Sequence, residues 1–213
     1  MNFNAFLKSV AKIRNLELPG EKAHLFMFPP YRNELMEMMR EERLKARKAA
    51  VMVLFYPDRS YHTNLVLILR KTYRGVHSAQ VGFPGGKVEV EDQSMLQSAI
   101  RETEEEVGVR QGDIQVIKSL SNVYIPPSNF SVYPFLGVLD YTPLFTKQDE
   151  EVEDILEVNL ADFLSDHNVV TKPVMTSYKK EVEVPAFSLG GQTVWGATAM
   201  ILSEVKELLK QVI

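Results

Sequence analysis

The chain of 213 residues has no cysteine, which excludes disulfides, cysteine-ligated metal sites and a thiol nucleophile. No apolar run reaches membrane length and no basic-then-apolar leader opens at Met1-Asn2-Phe3-Asn4, so the expectation is a cytoplasmic protein with no membrane partner. Positive charge is not in excess. The 24 Lys and Arg stand against 28 Asp and Glu, a net charge of −4, which disfavours a nucleic-acid backbone as partner. Tryptophan occurs once, at Trp195, and a lone tryptophan is more often core than contact. No repeat or low-complexity tract interrupts the chain. A hydrophobic share of 45% and a charged share of 24% are ordinary for a globular protein, and the length suffices for one sizeable core.

Against this plain background one stretch stands out, Gly85-Gly86 running into 94–108. At 3.6 residues per turn Leu96, Ala99, Ile100, Thr103 and Val107 share one face, while Glu102, Glu105 and Glu106 gather on another. Ser94 supplies an N-cap and Gly108 the left-handed residue past the end. Acids one turn apart repel, and near a helix C-terminus they also face the negative end of its dipole. A hard divalent cation such as Mg²⁺, which takes oxygen ligands and bridges carboxylates to phosphates, reverses both penalties. The alternative is a solvated acidic face.

The rest of the chain surrounds that helix. Phe3, Phe6, Leu7, Val10 and Ile13 lie at helical spacing, Pro19-Gly20 ends that region, and 24–30 reads as irregular. Leu35, Met36, Met39 and Leu44 predict a second, more solvated helix over 33–48. Residues 1–48 are therefore expected to form a helical extension packed on a main domain of 49–213. From Ala49 the period changes: 50–56 and 64–69 predict a hairpin across Pro57-Asp58-Arg59-Ser60. Further strands are predicted at 113–121, 131–141, 152–158, 182–187 and 192–195, with helices at 160–164 and 197–209. The order implies an α/β fold, a mixed sheet with helices on both faces.

Gly86, Arg101-Glu102, Glu105-Glu106, Gly108 and Val109 resemble the Nudix box, G-x5-E-x7-R-E-U-x-E-E-x-G-U, where U is aliphatic. Thr103 departs from the aliphatic position. Eight residues instead of seven separate Asp92 from Arg101, so no role is carried over to Asp92. Upstream, the stretch from Leu67 to Gly86 resembles the second signature of the coenzyme A pyrophosphatase branch, with Arg70, His77, Gln80, Val81, Phe83, Pro84, Gly85 and Gly86 matching. Val194-Trp195-Gly196-Ala197-Thr198-Ala199 resembles that branch's closing segment, and Ser131 to Gly137 its middle strand. The likeness spans about 50–210.

The resemblance implies a Nudix-type α/β/α sandwich and hydrolysis of coenzyme A or an acyl-coenzyme A to 3′,5′-adenosine bisphosphate and 4′-phosphopantetheine or its acyl form. Other Nudix substrates such as ADP-ribose or NADH, or a catalytically silent ligand-binding protein, are the alternatives. Glu102, Glu105 and Glu106, with the Gly86 carbonyl, are the candidate ligands for Mg²⁺ or Mn²⁺, and Arg101 orients the glutamates. The base is Glu105, Glu151 or Glu153, with His77 the other titratable neighbour. Arg70, Lys71, Arg74 and His77 cluster ahead of the glycine loop. With Gln80, the residues Arg70, Arg74 and His77 are the candidate substrate-binding group, Arg70 or Arg74 meeting the 3′-phosphate. The number of chains that assemble stays open, a homodimer among the alternatives.

Overall fold

The computed structural model describes residues 1–72, 79–176 and 180–213. Helix α1 (Phe3–Val10) starts where the Asn2 side chain accepts from the Asn4 amide, and it continues as a 3-10 turn over Ala11–Asn15. Helix α2 (Glu21–His24) precedes the stretch 24–30 expected to be irregular, and a 3-10 turn (Leu25–Met27) fills the first part of it. Helix α3 (Arg32–Met38) is shorter than the predicted helix over 33–48. A 3-10 turn follows at Glu42–Lys45, and Arg47 already belongs to a strand. The physical reason is local. Between Arg40 and Lys48 the only large apolar residue is Leu44, which is exposed, so no buried stripe stabilises a helix there.

Strand β1 (Arg47–Pro57) is central. Its apolar run is continuous because both faces are covered. Val53 and Phe55 join a cluster with residues of α1 and the C-terminal helix, whereas Met52, Leu54 and Tyr56 join one with Ala99 and Val107 of α4 (Met95–Val107). Strand β2 (Thr63–Arg70) pairs antiparallel with β1, as the hairpin reading predicts. The Asp58 carboxylate accepts from the Ser60 and His62 amides, each at 2.8 Å, and fixes that turn. Strands β3 (Val81–Gly82), β4 (Gly85–Lys87), β5 (Gln115–Ser119), β6 (Val123–Ile125), β7 (Phe130–Val138) and β8 (Val152–Asn159) complete the main sheet. Its order is β3-β2-β1-β7-β5, with β4 added to β1, β6 to β7 and β8 to β2. The β1–β7 pair is parallel and the others antiparallel, so the sheet is mixed, with α1 and the C-terminal helix on one face and α4 on the other.

After α5 (Leu160–Leu164), β9 (Val169–Met175), β10 (Glu181–Leu189) and β11 (Gln192–Trp195) form a separate antiparallel sheet in the order β11-β10-β9. Strand β9 is not predicted from its sequence. It is exposed over most of its length and carries Pro173, so it lacks the alternation that marks a half-buried strand. The chain closes with α6 (Gly196–Lys210). No helix among the described residues is long and apolar enough to cross a membrane.

The N-terminal segment shares the main core. Phe3, Phe6, Val10 and Ile13 are fully buried, and the Phe6 and Phe55 rings lie 5.0 Å apart. A polar clamp holds its second half. The fully buried Glu204 of α6 accepts from the Gly20 amide at 3.2 Å, the Ser121 amide at 3.1 Å and the Ser121 hydroxyl at 2.7 Å, and its Oε2 lies 3.3 Å from His24 Nε2. Burial alone raises a carboxyl pKa, but here the bonds from His24 and Ser121 outweigh it and lower the pKa. A lowered pKa in the folded state means that this stability is present above the ordinary value of 4.5 and is lost as the pH falls below it. Glu204→Ala should cost about 3 kcal/mol or more at pH 7, since it strands several buried donors. Urea melts at pH 7 and pH 4 check this: the deficit should shrink at the lower pH, and one below about 0.5 kcal/mol at pH 7 shows that the clamp carries no stability.

Candidate active site

The glycine strand and the acidic helix meet at close range because of two residues without side chains. Strand β4 lies across β1 with Gly85 opposite Val51 and Gly86 opposite Ala50. Gly85 has φ +150°, and a Cβ there would overlap the Ala50 carbonyl and Val51. A Cβ on Gly86 would overlap the Glu102 carboxylate. Helix α4 is set by the predicted caps: Ser94 Oγ accepts from the Gln97 amide at 3.1 Å, and Gly108 has φ +74° with its amide on the Glu104 carbonyl. Thr103, the departure from the aliphatic pattern, is fully buried and donates its hydroxyl to the Ala99 carbonyl at 2.6 Å. That internal bond lets a hydroxyl sit where an aliphatic would.

The three glutamates occupy three different environments. Glu106 is 2% exposed, and its Oε2 accepts from the Gly85 amide at 2.7 Å while its Oε1 lies 3.3 Å from Arg70 Nη1. Burial pushes its pKa up to about 8 against the opposing pull of Arg70 and the Gly85 amide; Glu102 and Glu151 add to the rise. Glu102 is partly buried and its pKa is raised, by burial first, although Arg101 Nη1 stands 3.0 Å away. Glu105 is 54% exposed and accepts from Arg101 Nη1 at 2.9 Å. Among the described residues no three acidic or histidine side chains converge as a preformed metal cage. The donor set nonetheless fits a hard divalent ion: adjacent carboxylates lie on one helix edge, two of them disfavoured as anions by burial, next to a side-chain-free backbone.

Arg101 pairs with Glu102 and Glu105, and it does so from an anchor at Asp92. Its Nε and Nη2 bond the two oxygens of Asp92 at 3.1 and 3.0 Å, a bidentate pair. The Arg101 hydrogen bond lowers the Asp92 pKa to about 2, and Asp92 in turn raises that of Arg101. The extra residue between Asp92 and Arg101 is thus absorbed without losing the contact. Asp92 Oδ2 also accepts from the Glu89 amide at 2.9 Å, and the loop bends back through that bond. The count of five residues after Gly86 is the signal that could have found it.

Two of the expected site residues have partners of their own. Arg70 lines the cavity and is at the same time a counter-cation of the acidic cluster: besides Glu106, its Nη2 lies 3.8 Å from Glu151 Oε2. Glu153 is exposed, receives Lys147 Nζ on its backbone carbonyl, and forms no ion pair with the site among the described residues. A register shift beside Arg70 places Glu151 at the cluster and leaves Glu153 outside it. Lys71 joins the β8 end through its amide on the Glu151 carbonyl. Arg74 and His77 lie outside the described residues.

A cavity of about 390 Å³ adjoins the glycine strand and is lined in part by Arg70, Gln80, Gly85 and Gly86. Trp195, expected to be core, is half-buried and lines this cavity together with Gly196 and Thr198. The Thr198 hydroxyl donates to the Val81 carbonyl at 3.0 Å and holds the start of α6 beside β3. The N-terminal segment contributes Pro29, Tyr31, Arg32 and Leu35 to the same cavity.

A mixed sheet between helices holds a glycine strand against an acid-bearing helix beside a cavity. The chain belongs to the Nudix family, whose NUDIX domain matches residues 45–178, and that match makes the protein a Nudix hydrolase. It is 33% identical over 172 residues to the mitochondrial coenzyme A diphosphatase NUDT8 of Homo sapiens, covering 78% of this chain and 72% of that protein. Against NUDT8 of Mus musculus the identity is 32%, with 78% and 81% covered. An uncharacterized Nudix hydrolase, NudL of Yersinia pestis, is 34% identical over 121 residues, 56% of this chain and 58% of that one. The solved Nudix hydrolase RenU of M. smegmatis superimposes with a TM-score of 0.53 at 13% identity, covering 79% of this chain and 88% of that one. A MutT/nudix family protein from Enterococcus faecalis does so with 0.52 at 18%, covering 86% and 76%. These two share the fold.

Asp92→Asn removes the charge that anchors Arg101 and should cost about 1–3 kcal/mol in a urea melt at pH 7, the scale of a hydrogen bond to a charged group. A change below about 0.5 kcal/mol would show that Glu102 and Glu105 hold Arg101 without it.

Proposed function

We propose that this Nudix pyrophosphohydrolase cleaves the phosphoanhydride of coenzyme A or an acyl-coenzyme A with water, releasing 3′,5′-adenosine bisphosphate and 4′-phosphopantetheine or its acyl form. The observation that carries this reading is the likeness to coenzyme A diphosphatases over 78% of the chain. The intact Arg101-Glu102 and Glu105-Glu106 cluster beside a cavity large enough for a nucleotide half supports it.

Nudix hydrolases in general use divalent metal ions. In this chain Glu102, Glu105, Glu106 and the Gly86 carbonyl would hold Mg²⁺ or Mn²⁺, which when bound neutralises charge on the phosphoryl oxygens. The protein's own part is to position and to screen. Asp92 fixes Arg101, and Arg101 holds Glu102 and Glu105 in place. Arg70 keeps Glu106 and Glu151 together despite their like charge. Glu105 and Glu151 are 54% and 55% exposed and so meet water, which makes them the two candidates to take its proton.

A substrate panel with products identified by mass tests the reading directly. With Mg²⁺ or Mn²⁺, coenzyme A and acyl-coenzyme A should be turned over with kcat/KM well above that for ADP-ribose and NADH. A reversed order would reassign the substrate, and binding of coenzyme A without product under either metal would mark a silent protein. Glu106→Gln keeps the shape of the side chain and the bond from Gly85 while removing the carboxylate that a cation would need. It should lower kcat/KM by about 100-fold or more. The metal-free melting temperature should hold or rise, and the stabilisation given by divalent ions should shrink. Unchanged turnover and unchanged metal response would falsify the metal-site assignment.

A further inference from the structure

The cavity beside the glycine strand contains a buried cation, Arg32, that forms no ion pair with a carboxylate among the described residues. Arg32 is 9% exposed, and its Nη2 donates to the Tyr124 carbonyl at 2.8 Å while the guanidinium stacks 4.8 Å from the centre of the Phe28 ring. Its Nε is buried with no hydrogen-bond partner. Among the described residues no acid lies within 4.0 Å of it. Burial first, then the neighbouring Arg43, lowers its pKa to about 10, against a smaller opposing pull from Glu21. A desolvated cation with an unmet donor is destabilising unless an anion completes it. The rest of the chain shows what completion looks like: the part-buried Arg70 and Arg101 are both paired with carboxylates.

Arg32 lines the same cavity as the Gly85–Lys87 strand, but it belongs to the N-terminal segment and not to the acidic helix. Val51, Val81, Phe130, Trp195 and Ile201 are among the residues that wall this space. They suit a flat base or an alkyl arm; Lys87 and Arg70 also line the cavity, Arg70 paired there with Glu106 and Glu151, so Arg32 is the buried cation among the lining residues with a donor left unmet. Coenzyme A carries one anionic group outside the anhydride that is cleaved, the phosphate monoester on the ribose. We propose that Arg32 is the binding residue for that 3′-phosphate, so that the N-terminal segment, carrying Arg32 into the cavity, selects for it. The proposal rests on the coenzyme A reading above. It gives Arg32 the role expected of Arg70 or Arg74: Arg70 is paired with Glu106 and Glu151, and Arg74 lies outside the described residues. A guanidinium fork matches a phosphate monoester in shape as well as charge.

The test compares two ligands that differ by that one phosphate, adenosine 3′,5′-bisphosphate and AMP, by calorimetry on the whole chain. The wild type should bind the bisphosphate about 10- to 100-fold more tightly, the scale of a charge-assisted contact. Arg32→Gln should erase that preference while leaving AMP affinity and cooperative melting in place. If Arg32→Gln does not fold, Arg32→Lys carries the test. It keeps a point charge without the fork and should reduce the preference about 3- to 10-fold. No preference in the wild type overturns the assignment, as does a preference that survives in Arg32→Gln or is undiminished in Arg32→Lys. The kcat/KM of wild type and variant on coenzyme A and 3′-dephospho-coenzyme A separates this from failure of the activity itself. Turnover of coenzyme A by the wild type with equal losses on both substrates in the variant makes Arg32 a scaffold residue and leaves the activity standing. No turnover of coenzyme A at all, with the bisphosphate preference intact, retires the proposed reaction and keeps Arg32 as a phosphate-binding residue.

Discussion

The approach of a bare backbone to buried carboxylates is the constraint from which the site follows. Glu106 is tolerated inside the protein because the Gly85 amide points at one of its oxygens and Arg70 stands beside the other. Glu102 fits because Gly86 has no Cβ to displace it. Both glycines are positioned by pairing with Ala50 and Val51, so the central strand, the glycine strand and the acidic helix form one rigid unit. A shift in any of the three would expose or strand a carboxylate, whose burial already works against its charged form.

Two arginines manage the concentrated negative charge from opposite ends. Arg101 works from the outer side, spanning Asp92, Glu102 and Glu105, while Arg70 works from the strand side, spanning Glu106 and Glu151. They differ in what they leave open. Asp92 meets Arg101 through both oxygens and is almost fully covered, so it is an anchor, whereas Glu105 and Glu151 are each more than half exposed and keep their outer faces for solvent and ligand. A cluster with internal counter-charges can remain folded without a metal and still present carboxylates to one.

The N-terminal segment is bound to this unit by two unlike forces. Its aromatic and aliphatic face enters the main core around Phe55, and its second half is tied through Gly20 and His24 to Glu204 on α6. Between them Pro29, Tyr31 and Arg32 reach the cavity. Helix α6 is thereby the common support, since its N-cap Trp195 and its first-turn residues Gly196 and Thr198 line the same cavity.

Much of this was legible in the chain of residues because it is local. The period of Leu96, Ala99, Thr103 and Val107, the caps Ser94 and Gly108, the hairpin at Pro57-Asp58 and the gathering of Glu102, Glu105 and Glu106 depend on neighbours within a few turns, and spacing reports them. Spacing could not report contacts between segments far apart in sequence. Whether Arg70 faces a ligand or Glu106 depends on how β2 lies against α4, and whether Glu151 or Glu153 reaches the cluster depends on a register shift between β2 and β8. The polar surface of β9 hid an added strand, because tertiary pairing overrides weak local preference, while the predicted helix over 33–48 stops short because it lacks a buried stripe past Arg40. The sequence by itself determined the acidic helix, its boundaries and the mixed α/β fold, whose physics is local. Only the tertiary structure decided the partners of each buried charge: Asp92 for Arg101, Gly85 and Arg70 for Glu106, the Tyr124 carbonyl for Arg32. Desolvation and pairing are set by what the folded chain brings within a few ångströms.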